Sequence, residues 1–161
     1  MTDLHPDLAH VATLLGSWSG RGHGEYPTIQ PFDYIETISF EHVGKPFLAY
    51  RQRTRSTTEP ALPLHAEAGY WRFPAGGRVE VTISHPTGIG EIEEGELDIA
   101  ADGTITIALA ASTIARSGTA KEVTAITRRF VVQGDTLTYD VAMAAVGQPL
   151  QHHLSATLHR D

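Results

Sequence analysis

Cysteine is absent from this 161-residue chain, lysine occurs only at Lys45 and Lys121, and methionine and tryptophan number two each. The first absence removes disulfides, thiolate-bound metals and iron–sulfur clusters together, so any metal must rely on histidine, carboxylate or tyrosine. The second leaves a formal charge of −7 with no basic cluster, which argues against nucleic-acid binding because phosphates need a basic footprint. No apolar run reaches the roughly 20 residues of a membrane span, and the first residues lack the basic start and apolar centre of a signal peptide. The expectation is a cytoplasmic protein with no membrane association. Repeats, low-complexity runs and linker-like stretches are also missing, and 41% of residues are apolar. A chain of this length and composition fits one domain, residues 1–161.

What is present is a change of period. Residues 6–15 place Leu8, Val11, Ala12 and Leu15 at helical spacing, with Pro6 suited to a first turn and Gly16 to a stop. After Gly16 the period is two: Tyr34, Ile38 and Phe40; Val79, Val81 and Ile83; Ile105, Ile107 and Leu109; Leu137, Tyr139, Val141 and Met143. Turn chemistry falls between such runs at Val43–Pro46, Pro74–Gly77, His85–Gly88, Ala101–Gly103, Gln133–Asp135 and Val146–Pro149. The pattern reads as one short N-terminal helix and about ten antiparallel strands with tight links. A meander of that kind removes both sheet edges by closing into an up-and-down β-barrel of the lipocalin or fatty-acid-binding type. Because roughly eight strands already suffice to house a small ligand, a cavity is expected. Gly16, Gly20, Gly22 and Gly24 strip side chains from one face of the opening strand, permitting sharp coiling or the approach of something flat. Trp18, between them, suits a plug at the barrel base.

Nine histidines are the residues with metal chemistry. His5, His10, His42 and His85 fall at a helix, a strand end or a turn and read as polar surface. His65 and Glu67 share one strand face and form half of a metal site, for which the sequence places no further ligands. His152 and His153 are adjacent on a strand and must point to opposite faces. Alternation groups His152 with Leu150, Leu154, Ala156 and Leu158 and favours it as the inward one, unless the apolar face packs outside; the choice stays open. Glu91, Glu93, Glu94 and Glu96 read as a solvated edge. No serine-hydrolase elbow, phosphate loop or dinucleotide fingerprint occurs.

Several stretches, in order along nearly the whole chain, resemble the nitrobindin family, the haem-binding β-barrels also found as a C-terminal domain of THAP-type proteins. They are Gly16-Ser-Trp-Ser-Gly-Arg-Gly22, Glu25-Tyr-Pro-Thr-Ile29, Pro31-Phe-Asp-Tyr34, Gly44-Lys-Pro-Phe-Leu48, Ala120-Lys-Glu-Val123, Gln148-Pro-Leu150 and His153-Leu154. The motif residues Gly16, Trp18, Gly20 and Gly22 alone are shared with lipocalin-type barrels; the combination is far more specific. The resemblance implies a ten-stranded barrel holding one haem b, with ferric iron bound by a single proximal histidine on the last strand. The family ligand directly precedes the leucine that is Leu154 here, so the resemblance assigns His153, against the alternation. It also implies that Thr28 and Lys121 touch the macrocycle or its propionates. The implied activity is isomerisation of peroxynitrite to nitrate together with nitric oxide binding, and no protein base is needed. His23, in the glycine-rich segment, is left open as a distal group. Two other readings stand beside this one: a haem or nitric oxide carrier or sensor without turnover, and a haem-free barrel for hydrophobic ligands. Protein partners are not legible.

Overall fold

The structure, a computed structural model, describes residues 2–161. A short 3-10 helix, Pro6–Leu14, precedes ten strands: β1 (Gly16–Tyr26), β2 (Ile29–Glu41), β3 (Leu48–Ser56), β4 (Pro63–Arg72), β5 (Arg78–His85), β6 (Ile89–Ile99), β7 (Ile105–Arg116), β8 (Val123–Gln133), β9 (Thr136–Ala145) and β10 (Gln151–Arg160). Each strand pairs antiparallel with the next, and β1 closes on β10 from Trp18↔Arg160 to Gly24↔Leu154. The expected up-and-down barrel is therefore the observed one, and all six expected turns mark links between strands, His85 and Gln133 being the last residues of β5 and β8. The tightest, β8 to β9, turns on Gly134 at φ 57°, a conformation that costs a residue with a Cβ. No helix among the described residues is long and apolar enough to cross a membrane.

The helix differs in period from the expectation. Leu8, Val11 and Leu14 are buried, while Ala12 is exposed and Leu15 only half-buried. A 3-10 helix repeats every three residues, so its buried stripe follows i, i+3, i+6. The backbone leaves helical geometry at Val11. This stripe closes one end of the barrel above Trp18, whose indole N–H donates to the Leu14 carbonyl at 2.9 Å. Arg160 lies 4.2 Å from the Trp18 ring centroid and donates to the Leu15 and Thr13 carbonyls. Trp18 is the expected plug.

The glycine-relieved face of β1 admits the protein's own groups. A Cβ at Gly20 would run into the Thr157 carbonyl oxygen of β10, so Gly20 lets the closing strand approach. At Gly22 the space is taken by the Tyr34 ring, and at Gly24 by that of Phe32. The flat groups are thus side chains of β2 laid across β1.

Along the axis the interior changes character. Near the plug it is apolar, with Phe40, Trp71, Ile107 and Leu137 fully buried. The middle is polar: Glu36, Gln52, Glu67, Glu91, Glu93 and Arg128 are all buried. Glu36 fills the inward position that the Tyr34, Ile38, Phe40 alternation passes over. Beyond this layer the barrel opens.

Candidate functional site

The open end encloses a cavity of about 580 Å³, within the roughly 300–1,000 Å³ of small-molecule sites. Its walls include Ile29, Phe32, Leu64, Ile89, Val123 and Met143, and its floor is the polar layer. His153 and Leu154 both line it. Strict alternation forbids two consecutive residues on one face; the register of β10 shows why it fails. His152 pairs with Ala142 and Leu154 with Val141, so β10 carries one residue more than β9 at His153. That bulge changes the phase of the strand. Below it, Ala156 and Leu158 face inward as alternation requires, and above it His153, not His152, turns to the cavity.

The His153 ring is held from two sides. Its Nδ1 lies 2.9 Å from the Glu25 carbonyl oxygen, which can only accept, so Nδ1 carries the hydrogen and Nε2 keeps a free lone pair. Glu25 lies just past the last β1–β10 pair, where β1 shifts register against β2. The Tyr26 ring packs at 5.3 Å between centroids, fixed by Ala145 N–H donating to its hydroxyl at 2.9 Å. Burial pushes the His153 pKa down, outweighing the Glu25 carbonyl, which favours the charged form. A neutral, oriented imidazole on an apolar wall is the form that ligates iron. His152 points outward, with Nδ1 3.3 Å from Glu25 Oε1 and Nε2 3.6 Å from Asp140 Oδ1.

The other expected residues divide. Lys121, exposed just before β8, reaches the cavity wall. Thr28 sits exposed in the β1–β2 turn, outside the cavity lining, although its neighbour Ile29 belongs to it. His23 is on the outer face, 2.7 Å from Asp33 Oδ1, and does not line the cavity. Gly16, Trp18, Gly20 and Gly22 shape the plug and the seam. The residues present fit a haem b: one free imidazole nitrogen for iron, apolar walls for the macrocycle and a cation at the rim for carboxylates.

Two surface readings of the sequence are corrected. Glu91 and Glu93 are buried, with only Glu94 and Glu96 of the acidic run exposed. On β6 the carboxylates point in and Ile92 points out, because Arg128 on β8 waits inside: Nη2 donates to Glu91 Oε1 at 2.7 Å, Nε to Glu93 Oε1 at 3.0 Å, and Nη1 to Glu67 Oε1 at 2.7 Å. His85 also points inward, its side chain only 9% exposed and its Nε2 3.2 Å from Glu91 Oε2. Burial opposes ionisation of Glu67, yet Arg128, His65 and His85 hold its carboxyl well below the usual range. Glu93 goes the other way, since burial and the neighbouring Glu91 charge outweigh Arg128 and raise its pKa. Glu36 is likewise pushed up to about 7 by burial. The alternation of Glu91 and Glu93 carried a signal for one common face; the partner 35 residues on did not show in it.

Residues 7–160 match the family model described as the THAP4-like, heme-binding beta-barrel domain. Similar relatives include a peroxynitrite isomerase 2 of Mycobacterium avium, 57% identical over 160 residues that cover 99% of this chain and 98% of that one. A peroxynitrite isomerase of Nocardia farcinica is 58% identical over 158 residues, 98% of this chain and 93% of that one. The crystal structure of Rv2717c from M. tuberculosis superposes with a TM-score of 0.95 at 50% identity, covering 99% of both chains. With the closed ten-strand barrel and the histidine-bearing cavity already in view, this chain belongs to the THAP4-like haem-binding β-barrel family.

Proposed function

We propose that this chain, acting as one unit over residues 1–161, binds one haem b through His153, isomerises peroxynitrite to nitrate and binds nitric oxide. The observation that carries the reading is the His153 ring, its Nδ1–H on the Glu25 carbonyl and its Nε2 free on a cavity wall. Relatives named peroxynitrite isomerase over nearly their full length support the activity. Bound ferric haem supplies a Lewis-acidic iron with one coordination position left for substrate.

The chain's own residues do the rest. His153 ligates through Nε2, and the Glu25 carbonyl and Tyr26 ring keep it from rotating. Lys121, at the rim of the cavity, would offer its ammonium to a haem carboxylate, and Thr28, in the adjoining turn, would bound the cofactor from outside. The apolar walls keep bulk water from the reacting centre. Isomerisation moves no net proton, so no side chain has to act as a base. We place the protein in the cytoplasm.

A haem titration followed by absorption tests the assignment. Wild type and His152→Ala should give a saturable one-to-one Soret shift and accelerate peroxynitrite decay in stopped flow. His153→Ala should lose both; tight haem binding by His153→Ala would overturn the assignment of His153 as the iron ligand. A Soret shift without faster decay would indicate a carrier or sensor. No shift in wild type would leave the apolar cavity as a site for hydrophobic ligands.

A further inference from the structure

The sequence places His65 and Glu67 on one face of β4, half of a metal site. The barrel supplies a third donor from β5. His65 Nε2, Glu67 Oε2 and His85 Nδ1 form a triangle with edges of 3.1, 3.5 and 3.7 Å. A tetrahedral zinc ion at about 2.0–2.1 Å from its ligands spaces them about 3.3–3.4 Å apart, so one ion fits against the three atoms with little movement. All three residues line the cavity, which leaves the fourth coordination position open to it. We propose that His65, Glu67 and His85 form a second, haem-independent site for a borderline divalent cation such as Zn²⁺.

The tautomers suit this role. His85 Nε2 lies 3.2 Å from Glu91 Oε2; donating its hydrogen there directs the Nδ1 lone pair at the triangle. Carboxylate, histidine and metal in sequence is the usual arrangement by which an outer group orients a ligating imidazole. His65, with its side chain 35% exposed, is free to take the matching tautomer. Arg128 is the opposing charge, since Nη2 is 3.3 Å from the same Glu67 Oε2 and 2.7 Å from Glu91 Oε1. Glu67 and Glu91 alone outweigh the one guanidinium, so the surroundings of the triangle stay net negative whether or not Glu93, the third partner of Arg128, carries a charge. Two imidazole nitrogens and one carboxylate oxygen favour Zn²⁺ over Mg²⁺.

Calorimetric titration of the full chain with Zn²⁺, with and without haem, tests the proposal. Wild type, His152→Ala and His153→Ala should each take up one equivalent, and Mg²⁺ should not compete. His65→Ala and His85→Ala should each weaken uptake by more than the 10–100-fold typical of losing an outer-sphere partner. His65→Ala leaves the Arg128 ion pairs intact, and circular dichroism checks that both variants fold. No stoichiometric uptake by wild type overturns the site. So does full uptake by both folded variants, which would place the ion on a surface pair such as His152 and Glu25. Because His153→Ala should still bind Zn²⁺, failure of the haem reading and failure of this one give different results.

Discussion

Glu36 is a carboxylate at the centre of a hydrogen-bonded chain whose direction depends on its charge. Gln52 Nε2 donates to Oε1 at 3.0 Å, Oε2 meets the Tyr139 hydroxyl, Tyr139 lies 2.7 Å from the Tyr34 hydroxyl, and Tyr34 reaches the Ser155 carbonyl at 3.3 Å. When Glu36 is ionised, Tyr139 donates to it and Tyr34 to Tyr139, which leaves the Ser155 carbonyl without that hydrogen. When Glu36 is neutral, the chain runs from Glu36 through both tyrosines to the carbonyl, and every link is satisfied. Burial pushes the carboxyl from 4.5 to about 7. The folded protein therefore keeps a proton that the unfolded chain releases. The group's stabilising contribution is complete below about pH 4.5 and declines as pH rises to about 7, by roughly 3 kcal/mol in all. Glu36→Gln does not titrate. Its stability relative to wild type should rise across that window, measured by urea unfolding at pH 4.5, 6 and 8; a pH-independent difference would sink the idea.

Among elements, the β1–β10 seam decides whether the barrel closes. Gly20 faces Leu158 across it, and a methyl group there meets the Thr157 backbone carbonyl, which has no rotamer to yield. Gly20→Ala should cost at least the roughly 1–3 kcal/mol of ordinary overpacking. Gly118→Ala, with open space around it, should cost far less in the same thermal scan. Strand β10 also marks where the sequence was readable and where it was not. Period-two runs and turn residues located strands because each repeats a local rule. The orientation of His152 and His153 depends on one extra residue in β10 relative to β9, a property of the pair of strands that alternation along one of them does not contain. The resemblance assigns His153, and the bulge is the physical reason that His153 rather than His152 faces the cavity. Glu91, Glu93 and His85 were misread for a related cause. Their burial depends on Arg128, which the barrel brings from β8 to face β6 and which sequence proximity does not reveal. Glu36 was passed over because a hydrophobic ladder with one charged rung looks like a gap.

At the scale of the whole molecule, a plug and a cavity occupy opposite ends of one closed sheet. Arg160 holds the plug: it lies on the Trp18 ring, binds two carbonyls of the N-terminal segment and pairs with Asp135 Oδ1 at 2.9 Å. His153 sits at the other end of β10, seven residues away, roughly 23 Å along a strand. Between them lies the polar layer, where Arg128 ties β8 to β4 and β6 through buried charge-assisted bonds. A closed barrel with such a middle transmits little from end to end, because each ladder is fixed by both neighbours. Arg160→Ala should lose roughly 1.5–3 kcal/mol, the worth of charge-assisted hydrogen bonds with a smaller cation–π share. Its haem titration should nevertheless match wild type in midpoint and Soret position. Denaturation and haem titration of the same preparation test both halves: a weakened haem site would mean that the helix plug helps to set the geometry at His153, and that the polar layer couples the two ends.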